Sequence, residues 1–251
     1  MSKNTRRDMK REIEEGIQDF DNKKNLRRKN SLSKEEFMKC DVSLTPKQHD
    51  LYKGIRNSIL SVVHGPAGTS KTYTTCYTAL ALLADKKVEK IIITKPIQES
   101  GENLGFLPGD KNEKLDPYKQ SYYTTFCKII GKQTTDFLFS TEEIIFEPLA
   151  YMRGSTYDNC VMLLDECQNA SIKQLMLWVT RLGNESKAVM MGDTSQYDVK
   201  KRDSGYNDFI KMVGGMNDLF MFEFSNSDIV RNKFLVEIAN RYDKYRSENE
   251  I

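Results

Sequence analysis

From residue 43 onward, short apolar runs punctuate the chain: SILSVV (58–63), KIIIT (90–94), EIIFE (143–147), CVMLL (160–164), KAVMM (187–191) and LFMFEF (219–224). Each has the length of a strand and lacks the alternation of a sheet with one wet face, so all six are predicted as strands covered on both sides. The segments between them carry helical spacing. Tyr73, Cys76, Tyr77, Leu80 and Leu83, for example, share one broad face. The rhythm predicts an α/β fold, a mainly parallel sheet with helices on both faces. Ligands in such sheets bind beyond the carboxyl ends of the strands, so the residues that follow each run are where chemistry is expected.

Residues 1–42 break the rhythm. Residues 1–40 hold 12 Lys or Arg against 8 Asp or Glu, with few large apolar side chains. Met9, Ile13, Ile17 and Phe20 form only a weak helical stripe ahead of NKKNLRRKN. This part is expected to be a charged arm, helical or disordered, with one main domain over 43–251. A chain of 251 residues is long enough for one sizeable core.

Composition narrows the classes. No apolar run approaches the ~20 residues of a membrane span, and no apolar stretch follows the basic N-terminus as in a secretory signal. A cytoplasmic protein without membrane contact is expected, in the host cytoplasm if phage-encoded. The 5 cysteines form no C-x-x-C pair and read as reduced thiols, and with only 2 histidines no zinc constellation assembles. A net charge of +2 is near neutral, so any nucleic-acid surface must be local.

Behind the first run stands GPAGTSKT, residues 65–72, one residue from the phosphate-binding pattern G-x-x-x-x-G-K-[ST]. The loop Gly65, Pro66, Ala67, Gly68, Thr69, Ser70 lies between a strand and a helix, where backbone N–H groups can face phosphate oxygens. Lys71 adds a point charge and Thr72 a hydroxyl for Mg²⁺. The fourth run delivers Asp165 and Glu166 in LLDECQ, one carboxylate to hold Mg²⁺ and one to activate water. The fifth leads into MGDTSQ, where the Gln196 amide can sense the γ-phosphate or position water. Upstream, Gln48 in LTPKQHDLY can pair with the edge of adenine, and Arg153, Arg181 and Arg231 can each stabilise charge on a transferring phosphoryl group.

With these motifs in view, the chain resembles the PhoH family of ATPases, related to the motor cores of superfamily-one helicases and similar to their compact phage-encoded members. The resemblance covers roughly residues 43–246. It rests on TPKQ, GPAGTSKT, IITKP with ESGENLGFLPGD and EKLDPY, PLAYMRGST, LLDECQNAS, TRLG, GDTSQYD and SDIVRN. It implies a RecA-like fold, Mg²⁺-dependent ATP hydrolysis and action on RNA or single-stranded nucleic acid. Lys71 and Thr72 then serve phosphates and metal, Asp165 and Glu166 the second motor motif, Gln196 the third, and Gln48 adenine. The chain departs from the family's pattern at Ser70 for glycine, Lys95 where many members have arginine, and Ser155 within what is often RGRT.

Two further expectations follow. Only a short helical tail is expected after residue 224, and monomeric helicases of the related type close their site with an arginine from a second domain. A neighbouring subunit is therefore expected to complete the site, in a ring of six, through Arg153 or Arg231. The segment from Lys95 to Tyr123, with Phe106, Lys111, Tyr118 and Tyr122, interleaves aromatics and lysines and suits base stacking on single-stranded RNA or DNA. The alternative function is an ATP-binding oligomeric switch that does not translocate.

Overall fold

The computed structural model describes residues 32–96, 111–193 and 204–249, with the side chains of 111–118 and 249 outside that description. Among the described residues, six strands form one sheet: β1 (Leu60–His64), β2 (Lys90–Thr94), β3 (Ile144–Phe146), β4 (Cys160–Leu164), β5 (Lys187–Gly192) and β6 (Leu219–Glu223). Their order is β3-β2-β4-β5-β1-β6, and every pairing is parallel. All six predicted runs are strands, and the α/β class with a parallel sheet holds.

Alternation along each strand explains the uniform apolarity. Val63, Ile91, Ile93, Val161, Leu163, Val189 and Met191 face one layer. Leu60, Val62, Ile92, Met162, Leu164, Ala188 and Met190 face the other. Successive side chains point to opposite faces, so a strand covered twice has few polar positions, here Ser61 and Thr94, whereas the edge strand β6, expected to be covered on both sides, is part-exposed. Truncating a fully buried member such as Leu163 to alanine would cost roughly 2–5 kcal/mol.

The first layer contains α2 (Pro46–Asn57), α3 (Lys71–Ala84), α4 (Lys111–Ile130) and α5 (Lys132–Ser140). The second contains α6 (Ile172–Val179) and α7 (Tyr206–Val213), which bury Trp178, Tyr206 and Phe209. A last helix, α8 (Lys233–Asn249), follows β6. Helix α2 starts where it does because Thr45 caps it, Pro46 fits the first turn, and Gln48 closes a capping box.

The expected boundary at residue 43 shifts towards the N-terminus. A short helix α1 (Lys34–Met38), capped by Ser33 and Glu36, buries Phe37, and Leu32 before it is also buried. The physical reason is α3, whose exposed shoulder needs cover: the Phe37 ring lies 5.0 Å from that of Tyr77. Asp85 at the end of α3 fastens the same corner, 3.4 Å from Lys34 and 2.6 Å from Arg56. All five cysteines are free thiols, and no described helix is long and apolar enough to cross a membrane.

Candidate nucleotide site

The parallel arrangement brings every strand's carboxyl end to one edge, and a cavity of about 450 Å³ opens there. Behind β1, Gly65 has φ 145°, and a Cβ on it would lie 2.6 Å from the carbonyl oxygen of Phe224, so only glycine fits. Thr69 is buried, and its hydroxyl donates to the Pro66 carbonyl at 3.0 Å. Ser70 stands at the start of α3 in the left-handed conformation, φ 65° and ψ 31°, and makes no capping hydrogen bond with its side chain. Ala67, Gly68, Ser70, Lys71 and Thr72 all line the cavity.

Lys71 is folded onto its own loop. Its Nζ donates to the carbonyls of Gly65 at 2.6 Å and Pro66 at 3.0 Å. Burial lowers its pKa, while Asp193, Asp165 and Glu166 act in the opposite direction. Asp193, the residue after β5, is therefore part of the same charge cluster and lines the same cavity. It obeys the strand-end rule that singled out Asp165 and Glu166, which is the signal that would have found it.

Asp165 follows β4 and is held on three sides. Its backbone N–H donates to the Thr94 carbonyl at 3.0 Å. Its Oδ1 accepts the Glu166 N–H at 3.1 Å, and its Oδ2 accepts the Tyr122 hydroxyl at 2.6 Å. Burial, reinforced by the neighbouring Glu166, raises its pKa against the Tyr122 hydrogen bond that lowers it. Burial also drives the Tyr122 pKa up, so the phenol keeps its proton and donates.

Glu166 has φ 53° and ψ 38°, a left-handed conformation that turns its carboxylate into the cavity mouth. Gln168 Nε2 donates to Glu166 Oε2 at 2.8 Å, and Gln168 Oε1 accepts the Asp193 N–H at 3.1 Å, so one amide ties the ends of β4 and β5. Lys95, beyond β2, places its Nζ 3.9 Å from Glu166 Oε1.

Other predicted residues lie elsewhere. Gln48 is outside the lining; its Oε1 accepts the Thr45 N–H at 3.0 Å as the helix cap. Arg153 is exposed on a loop, and Arg181 donates to the Ser155 carbonyl at 3.0 Å, bracing that loop. Arg231 lines the cavity of its own chain. Gln196 and Phe106 fall outside the described residues, as do the side chains of Lys111 and Tyr118. Tyr122 is buried and unavailable for base stacking. Its helix instead forms a wall of the cavity with Thr125 and Lys128, a role no local motif announces.

A glycine-built loop and lysine at β1, paired acids at β4, and β5 inserted between those strands define a P-loop domain of the RecA-like class. Residues 42–243 match the family model described as PhoH-like protein, and the chain belongs to that family. It is 40% identical over 199 residues to the PhoH-like protein of Bacillus subtilis, covering 79% of this chain and 60% of the relative. To Protein PhoH of Escherichia coli it is 32% identical over 193 residues, covering 76% and 54%. The chain thus spans about half to three fifths of the length of these curated relatives. Among solved structures, the Sulfolobus solfataricus SWI2/SNF2 ATPase core in complex with dsDNA is similar at 14% identity and TM-score 0.46, over 76% of this chain and 47% of that one.

Proposed function

We propose that the protein hydrolyses ATP with Mg²⁺ and couples turnover to single-stranded RNA or DNA. One observation carries the reading: Lys71, Thr72, Asp165 and Glu166 converge on one cavity at the carboxyl edge of the sheet. Oxygen donors from Thr72 and Asp165 suit Mg²⁺, a hard cation that takes its remaining ligands from phosphates and water. Bound there by Thr72 and Asp165, the ion would supply positive charge that offsets the negative charge on the departing γ-phosphoryl group. Lys71 leaves the Gly65 and Pro66 carbonyls for the phosphates. Glu166 orients a water and takes its proton as the water oxygen bonds to the γ-phosphorus and the bond to the ADP oxygen breaks.

Lys95 supports the nucleic-acid part of the proposal, because it stands at the end of β2 within ion-pair range of Glu166. A phosphate of a bound strand that drew Lys95 away would change the setting of the water-activating carboxylate. Arg231 sits at its own chain's cavity while Arg153 is exposed away from it, which favours Arg153 as the group offered to a neighbour in a ring of six.

Glu166→Gln is expected to keep ATP binding and lose turnover by about a hundredfold or more, whereas Lys71→Ala loses binding. Calorimetry with ATP beside a phosphate-release assay separates the two effects, and equal loss of binding and turnover in Glu166→Gln would remove it as the base. Turnover measured with single-stranded RNA and DNA then distinguishes a motor from a switch, since a switch leaves the rate flat.

A further inference from the structure

A second cavity, about 240 Å³, lies on the other side of the loop apex, between Pro66–Gly68 and α8. It shares Ala67, Gly68 and Arg231 with the phosphate cavity, so the two are neighbours on either side of the loop. Whole-ligand pockets run roughly 300–1,000 Å³. This one fits a part of a ligand.

We propose that it is the nucleobase subsite of the nucleotide site, built for a purine ring; the inference rests on the ATP reading above. Sheet order supplies the direction. The acids that serve the γ-phosphate end stand at β4, so the nucleotide's other end runs away from β4, across β1, towards β6 and the segment behind it. That segment is the wall of the second cavity. Val230 N–H donates to the Gly68 carbonyl at 3.1 Å, which pins it to the loop. Asn226 Nδ2 donates to Asn240 Oδ1 at 2.9 Å and Asp243 Oδ2 at 2.7 Å, which holds α8 alongside.

The lining matches the ligand. Ile229, Leu235 and Ile238 offer apolar contact, and Tyr242 offers an aromatic face. Arg246 lies over one face of that ring, 5.9 Å from its centre. The remaining carboxylate oxygen of Asp243, Oδ1, is an acceptor for an amino N–H on the base edge. An inorganic phosphate chain could use neither the apolar side chains nor Tyr242 nor Asp243, whereas a base could use all of them.

The test is calorimetry of the full chain with ATP and with inorganic tripolyphosphate, which has no base. Tyr242→Ala is expected to weaken ATP about tenfold, as loss of one base–aromatic stack does, and to change tripolyphosphate by less than about twofold. Ile238→Asp is expected to follow the same pattern, and both side chains are partly exposed, 47% and 46%, so both variants should fold. Unchanged ATP affinity, or equal losses for the two probes, would overturn the subsite. If folded wild-type protein binds neither probe, the ATP reading itself fails, which is a different result.

Discussion

Ser70 and Glu166 both adopt left-handed backbone at the reacting edge of the sheet. Such a conformation costs a non-glycine residue roughly 1–2 kcal/mol. In Ser70 the cost belongs to the folded backbone at the head of α3, so it weighs on folding. Ser70→Gly should therefore raise stability by up to about 1 kcal/mol, or a few degrees in Tm, and leave ATP affinity within about twofold. Thermal unfolding and calorimetry check this, and a loss of affinity beyond about tenfold would instead make the Ser70 hydroxyl a phosphate ligand. At this scale the placement of Lys71, Thr72, Asp165 and Glu166 beside one cavity was readable, because each lies in a segment that directly follows a strand. Gln48 shows the opposite case, because its amide oxygen is committed to a local cap that the same letters TPKQ also encode.

Among the elements, the inner strands were legible because burial on both faces leaves them few polar positions, such as Ser61 and Thr94, and the edge strand β6, part-exposed, was legible from its apolar run alone. Helix α4 was not. Its role depends on how a 20-residue helix is laid against the sheet, and Tyr122, Thr125 and Lys128 acquire meaning only once that packing exists. Tyr122 donates to Asp165 and, through the same helix, connects the segment of Lys111 and Tyr118 to the carboxylate proposed to hold the metal. Tyr122→Phe removes a hydrogen bond that holds the Asp165 pKa down, so that pKa should rise further. In the proposed role Asp165 acts when ionised, so activity should fall as pH drops through its pKa. The acid limb of the ATPase profile is therefore expected to move to higher pH in Tyr122→Phe, with more Mg²⁺ needed for half-maximal rate. Excess Mg²⁺, which competes with the proton, should move the limb back. A uniform fall in rate with no change in pH profile or Mg²⁺ demand would reduce Tyr122 to a packing residue.

For the whole molecule, a near-neutral net charge conceals strong local separation, with Lys71, Lys95, Lys128 and Arg231 around Asp165, Glu166 and Asp193. Composition could not show this, since it sums over positions that only the fold brings together. Assembly is tested at the same scale. If Arg153 acts on a neighbour's nucleotide, Arg153→Ala should keep ATP binding and lose turnover by about a thousandfold. Mixing it with Glu166→Gln should restore part of the rate, because each inactive chain then supplies the group the other lacks at a shared interface. No recovery in a mixture of verified oligomers would place the arginine's work within one chain.

The position of β5 has one more consequence. Neighbouring strands lie about 4.8 Å apart, so a strand inserted between β1 and β4 sets the loop and the acids about 10 Å apart at their roots. Across that gap Lys71 still feels Asp165 and Glu166, and most of all Asp193 at the end of β5 itself, while its Nζ donates to its own loop's carbonyls. The fold thus sets a lysine-bearing loop and a pair of carboxylates on either side of one strand, a span that, on the proposed function, a polyanion at one end and a divalent cation at the other would bridge.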